Sequence, residues 1–192
     1  RRSCWLAQRA FRLSDRGDAA FTSFASRGHV VVMTATAEQV YDWLRAVPDP
    51  EIPVLSITDL GIVRDVAVAD EVTVSLAPTY SGCPATEVIE KSVIDALHAN
   101  GVENVVIRRV LSPPWTTDWI GDEAREKLRI YGIAPPSDAV GKQGLLDSSR
   151  TIACPRCGST ASALVSEFGS TPCKAAYRCT ECLEPFEYFK CI

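Results

Sequence analysis

Histidine is nearly absent from this chain, with only His29 and His98 among 192 residues. That scarcity excludes most acid–base and Cys–His nucleophilic chemistry, because imidazole is the side chain whose ordinary pKa lies closest to neutrality. The Glu-x-x-His pattern of di-iron bundles and the Gly-x-Gly-x-x-Gly dinucleotide fingerprint are missing as well. No apolar run approaches the ~20 residues needed to cross a bilayer, and no apolar segment follows the basic start as a secretory signal requires. Membrane insertion and export are therefore not expected, and the cytoplasm is the expected location.

Lysine is absent from the first 32 residues, where six arginines stand against only Asp15 and Asp18 without helical or strand periodicity. Residues 1–32 read as a disordered leader or a mis-called start. Met33, the one methionine, directly precedes a clean helix start. An organelle transit peptide is the other reading of so arginine-rich a segment. Fourteen basic and twenty-two acidic residues follow residue 32, a formal charge of −8 for the body. Such a body is a poor nucleic-acid binder. Hydrophobic residues at 46% and charged ones at 23% are ordinary for a folded globular chain.

From Thr36 to Val47 the pattern predicts an amphipathic helix, with Thr36 and Gln39 as a capping box and Val40, Trp43, Leu44 and Val47 on one face. Asp49–Gly61 is too rich in Pro and Asp for regular structure. Ile62–Val68 and Val72–Leu76 alternate around a short turn at Asp70 and predict a hairpin. A second helix is expected over Ala85–Ala99, a strand over Val105–Val110, and a third helix through Ala124, Leu128 and Tyr131, stopped by Gly132 and Pro135–Pro136. This order predicts a small two-layer α+β domain over residues 33–136, a linker over 137–150, and a ribbon over 151–192.

The ribbon rests on cysteine spacing. Cys154-x-x-Cys157 and Cys179-x-x-Cys182 are two knuckles with twenty-one residues between them. Two such pairs without a signal peptide point to a tetrahedral metal site rather than disulfides. Zinc is favoured because nothing here requires redox chemistry, although a rubredoxin-like iron centre uses the same sulfurs. The ribbon is expected to unfold without its metal while the first domain survives. Its four basic and four acidic residues make it neutral, which fits protein contact or a purely structural role. Phe186, Tyr188 and Phe189 read either as an exposed contact surface or as a hairpin core. Cys173 and Cys191 would lie near one another across such a hairpin, as a redox pair or as two small core residues.

Cys83, at the expected start of the second helix with Pro84 at N1, reads either as a thiolate favoured by free amides or as an inert buried residue. Asp49, Glu51 and Asp59 read either as an acidic rim beside it or as turn and cap residues.

The segments DPEIPVLSITDLGIVRDV (49–66), PTYSGCPAT (78–86) and PPWTTDWI (113–120) resemble the SufT/PaaD family of iron–sulfur assembly proteins. CPRCGS, FGSTPCKAAYRC and CLEPFEYFKCI resemble the phenylacetate-degradation branch of that family, and the likeness covers about residues 38–192. It implies a functional patch of Cys83, Asp49, Glu51, Asp59 and Thr79, with the loop of Trp115 and Trp119 beside it or closing the core. It also implies an accessory role in the multicomponent oxygenase that epoxidises the ring of phenylacetyl-CoA, assisting iron–sulfur or metal-centre maturation, or else a non-catalytic structural or regulatory subunit. The implied cofactors are structural Zn2+, or Fe in its place, and a transient iron–sulfur cluster or iron at Cys83. The implied partners are the oxygenase and reductase subunits and the iron–sulfur assembly machinery. A homodimer stays open as the oligomeric state.

Overall fold

The computed structural model of the protein describes residues 35–80, 82–136 and 152–190. The leader, the 137–150 linker and Cys191 lie outside the described residues.

The capping box forms as the sequence predicts. Thr36 Oγ1 accepts from the Gln39 amide at 3.2 Å, and Gln39 Oε1 accepts from the Thr36 amide at 2.9 Å. Helix α1 (Ala37–Leu44) buries Val40 and Leu44 completely. It stops short of Val47 because the last turn tightens: Ala46 and Val47 donate to the carbonyls three residues back.

Strands β1 (Val63–Val68) and β2 (Val72–Leu76) form the expected antiparallel hairpin, with a bulge between Val63 and Asp65. Helix α2 (Thr86–Ala99) then crosses over and returns the chain as β3 (Val105–Arg109), parallel to β2. The sheet order is β1-β2-β3. Ile89, Val93 and Leu97 of α2 share one core with α1 and the sheet, as their helical spacing requires. Helix α3 (Asp122–Tyr131) follows a single 3₁₀ turn at Thr117–Trp119 and ends on Gly132, whose φ of 98° suits glycine.

The residues after α3 do more than stop a helix. Ile133–Ala134 form a two-residue strand, β4, which runs parallel to β7 (Pro185–Phe189). With β5 (Ser162–Ser166) and β6 (Lys174–Cys179) this gives a four-stranded sheet ordered β4-β7-β6-β5. The ribbon sheet thus includes a strand from the preceding domain.

Phe186, Tyr188 and Phe189 are 6%, 2% and 1% exposed, which rules out the exposed contact surface. They also divide between two cores. Phe186 and Tyr188 pack with Ala134, Ile152, Cys154 and Cys179 under the knuckles. Phe189 and Cys173 instead join the α+β core, where the Phe189 ring lies 6.1 Å from that of Trp115. Trp115 is buried and donates its indole N–H to the Leu60 carbonyl at 2.8 Å, so it closes the core. Trp119 is partly buried against the same core and carries the Arg64 guanidinium over its ring at 3.5 Å. Among the described residues no helix is long and apolar enough to cross a membrane.

Candidate functional site

The four knuckle thiols converge. All Sγ atoms of Cys154, Cys157, Cys179 and Cys182 lie within 4.8 Å of one another, with Cys154–Cys182 at 3.8 Å and Cys157–Cys179 at 3.6 Å. A tetrahedron with Zn–S bonds of 2.3 Å has edges of about 3.8 Å, so the donor set fits the ion. The backbone supports it: the Cys182 amide points at Cys179 Sγ at 3.5 Å and, as the main cause, lowers that thiol to about 7. Gly158, with φ of 76°, gives its amide to the Cys154 carbonyl at 2.9 Å and closes the first knuckle. Four protein thiols fill a tetrahedral set and leave no open position for water or substrate, so the arrangement fits a metal ion in a structural role.

A second convergence occurs in the α+β layer, on the side that the ribbon covers. Asp49, Glu51, Thr79 and Cys83 line one pocket with Thr86, and Cys173 enters it from the ribbon. Asp49 is set by its own turn: Oδ1 accepts from the amides of Glu51 at 2.9 Å and Ile52 at 2.8 Å. The same turn brings Glu51 forward, and the Cys173 thiol lies 3.9 Å from Glu51 Oε2. Thr171 Oγ1 holds Cys173 Sγ from the other side at 3.1 Å.

Cys83 is displaced from where the sequence reading puts it. Helix α2 begins at Thr86 with Ala85 as its cap, so Pro84 is not N1 and Cys83 lies two residues before the cap. The thiol is half-buried, in a turn closed by the Thr86 amide and hydroxyl on the Cys83 carbonyl at 3.2 and 2.9 Å.

Burial pushes the Cys83 thiol up; Glu51 and Asp49 add repulsion, and the Ala85 amide and Thr86 only partly oppose them. The free thiol is therefore protonated rather than activated by the helix. Its neighbours shift the same way. Asp49 is raised by burial against its two amides and Lys174, and Glu51 by burial and then by Asp49. Cys173 is raised by burial, with Thr171 opposing. Burial is the first cause in each case; the cation that lines the pocket, Arg109, is paired with Glu90 at 2.9 Å. Lys174, whose side chain is 4% exposed, is the buried cation beside the pocket, and it is already paired with Glu187 at 3.1 Å.

Asp59 does not join this group. Its carboxylate accepts from the Ser56 amide at 3.0 Å and from Lys127 at 3.1 Å, and these partners hold it below the usual range although burial acts the other way. Neither tryptophan lines the pocket. Sequence reasoning named Cys173 only as a possible redox partner of Cys191 and missed its place in this pocket, along with that of Arg109. A signal existed: a cysteine outside both C-x-x-C pairs next to a lysine heading an apolar strand. In the observed register, where Lys174 stands opposite Phe189 and the Lys190 amide donates to the Cys173 carbonyl at 2.9 Å, Cys173 faces Lys190. Its proposed redox partner Cys191 lies outside the described residues.

Comparison with known proteins places both halves. Residues 37–107 match the model for iron–sulfur cluster assembly proteins, and residues 138–190 match that of the PaaD zinc β-ribbon domain. An Escherichia coli (strain K12) protein provisionally named as a subunit of 1,2-phenylacetyl-CoA epoxidase is 50% identical over 155 residues, covering 80% of this chain and 92% of the relative. An Fe-S protein maturation auxiliary factor of Porphyromonas gingivalis (strain ATCC BAA-308 / W83) is 36% identical over 96 residues, covering 48% of this chain and 90% of the relative. Among solved structures, a domain of unknown function from Bacillus anthracis is 30% identical with a TM-score of 0.46, covering 49% of this chain and 92% of that one.

Proposed function

Because this chain belongs to the PaaD family of phenylacetyl-CoA epoxidase proteins, which joins an iron–sulfur cluster assembly domain to a zinc ribbon, we propose that it is an accessory protein of that multicomponent oxygenase and assists maturation of its iron–sulfur or other metal centre. The observation that carries this reading is the single pocket gathering Cys83 with Asp49, Glu51 and Thr79. Its donors suit iron, and it has no histidine to act as a general base. Iron or a cluster is the cargo here, and the oxygenase and reductase subunits are the clients. The ribbon zinc is structural.

The test is to express the oxygenase components with and without this chain and to measure iron, cluster and turnover on the purified enzyme. Iron-poor, slow enzyme in its absence is expected, and Cys83→Ala should reproduce that loss without unfolding the chain. Full complementation by Cys83→Ala would end the role of the thiol. The naming of the Escherichia coli relative as an epoxidase subunit favours a second reading, a non-catalytic structural or regulatory component. Stoichiometric co-purification with an oxygenase whose iron content does not depend on this chain would select it.

A further inference from the structure

Cys173 has no place in the zinc site, yet the ribbon carries it into the α+β core and sets it beside Glu51, in the pocket that Cys83 lines. We propose that Cys83, Cys173 and Glu51 form a second metal site, for a thiophilic divalent ion such as ferrous iron, shared between the two halves of the molecule and complete only when the ribbon is folded on its zinc. The proposal rests on the maturation reading only in naming iron as the ion.

Three observations converge. The first is separation: a thiolate and a carboxylate oxygen sharing one tetrahedral ion lie roughly 3.6 Å apart for bonds near 2.3 and 2.1 Å, and Cys173 Sγ is 3.9 Å from Glu51 Oε2. The second is provenance. Cys173 is 4% exposed and sits in the turn leading into β6, held by Thr171 and by the Lys190 amide on its carbonyl, so its position depends on the ribbon fold. The third is donor chemistry: two thiols and two carboxylates line one pocket, whose cation Arg109 is paired with Glu90, and such a mixed sulfur and oxygen set suits a thiophilic divalent ion. The ribbon thiols are the one set of three or more ligand atoms within 4.8 Å among the described residues. Cys83 must therefore turn toward the Cys173–Glu51 pair as the ion enters. Binding is a proton exchange: both thiols lose their protons to solvent, two S–metal bonds and one O–metal bond form, and no oxidant is consumed. The complex then carries one net negative charge next to Lys174.

The experiment titrates cobalt(II), anaerobically, into the zinc-loaded full chain carrying Cys4→Ser and Cys191→Ser. It records thiolate-to-cobalt charge-transfer absorption together with retained zinc. One cobalt per chain beyond the zinc is expected. Cys83→Ser and Cys173→Ser should each leave about half the absorption per bound ion, and should weaken binding at least about tenfold, as should Glu51→Gln with the absorption per ion kept. Retained zinc and an unchanged far-UV spectrum identify variants that still fold, and half-buried Cys83 provides a test independent of core packing at Cys173.

Absence of a second ion, cobalt entering only as zinc leaves, or Cys173→Ser binding like its parent would overturn the site. The two proposals fail separately. If the second ion binds as described but the oxygenase matures without this chain, the site stands and the maturation role falls. If maturation depends on Cys83 while Cys173→Ser binds normally, the maturation role stands and the shared site falls.

Discussion

Truncating Phe189 to alanine removes a side chain that the ribbon lends to the other half of the molecule. Phe189 is 1% exposed, packs in the cluster of Val40, Leu44, Val93 and Leu97, and stands 6.1 Å from the Trp115 ring. A buried Phe→Ala change costs about 3–5 kcal/mol, through lost transfer energy and the cavity left behind. Part of that, about 0.5–1.5 kcal/mol, belongs to the ring pair. Against a total of roughly 5–15 kcal/mol for a domain, this is a large share. If the two halves unfold as one unit, the loss reaches helices α1 and α2, which precede Phe189 by about ninety residues or more in sequence. Amide hydrogen exchange on the zinc-loaded chain is the assay: since about 1.4 kcal/mol is a factor of ten, globally exchanging amides near Val40, Leu44, Val93 and Leu97 should exchange at least about a hundredfold faster. Unchanged exchange in α1 and α2, with acceleration confined to the ribbon strands, would show that the shared core carries no cooperativity.

Removing zinc with a chelator, or Cys154→Ser, should unfold the ribbon, because a structural zinc supplies on the order of 10 kcal/mol or more of folding energy. Since Phe189, Cys173 and the β4–β7 pairing are lost with it, the α+β layer should melt at a lower temperature too; an unaltered α+β transition would contradict this. Gly61→Ala should destabilise by about 1–3 kcal/mol, because φ is +65° and an added Cβ would sit 2.8 Å from Trp119 Cβ; a melting temperature equal to that of the parent would refute the close approach. Asp59 is held below its ordinary value of 3.8 by the Ser56 amide and Lys127. Its stabilisation is therefore complete above that value and is lost as pH falls through the lower, folded one. Asp59→Asn should flatten this acid limb of the stability curve by less than about 1 kcal/mol, given the partly exposed lysine, and an identical limb in urea titrations would dismiss the pair.

Local physics made much of this protein legible in one dimension. Thr36 and Gln39 satisfy each other's amides within four residues, the 3.6-residue spacing of Ile89, Val93 and Leu97 allows one buried face, and a C-x-x-C pair forms its knuckle from adjacent amides. The long motifs around Asp49, Glu51, Thr79 and Cys83 carried the family, and with it the expectation of a patch. The sequence also determined that any chemistry here must proceed with almost no histidine. Tertiary structure decided what depends on burial and on separations of many residues. A carboxylate at an Asp-rich turn reads the same whether it faces a pocket or a lysine; Asp49 took the first course and Asp59 the second, because Lys127 of α3 packs over the latter. From sequence the Cys83 thiol read either as a thiolate favoured by its helix or as an inert buried residue, and only the fold shows desolvation and two carboxylates outweighing one amide. The register of Cys173 across the hairpin follows from the second knuckle, but its destination does not: β6 pairs with β7 in the ribbon sheet that β4 joins from the α+β side, and the thiol lies beside Glu51, 122 positions earlier in the chain.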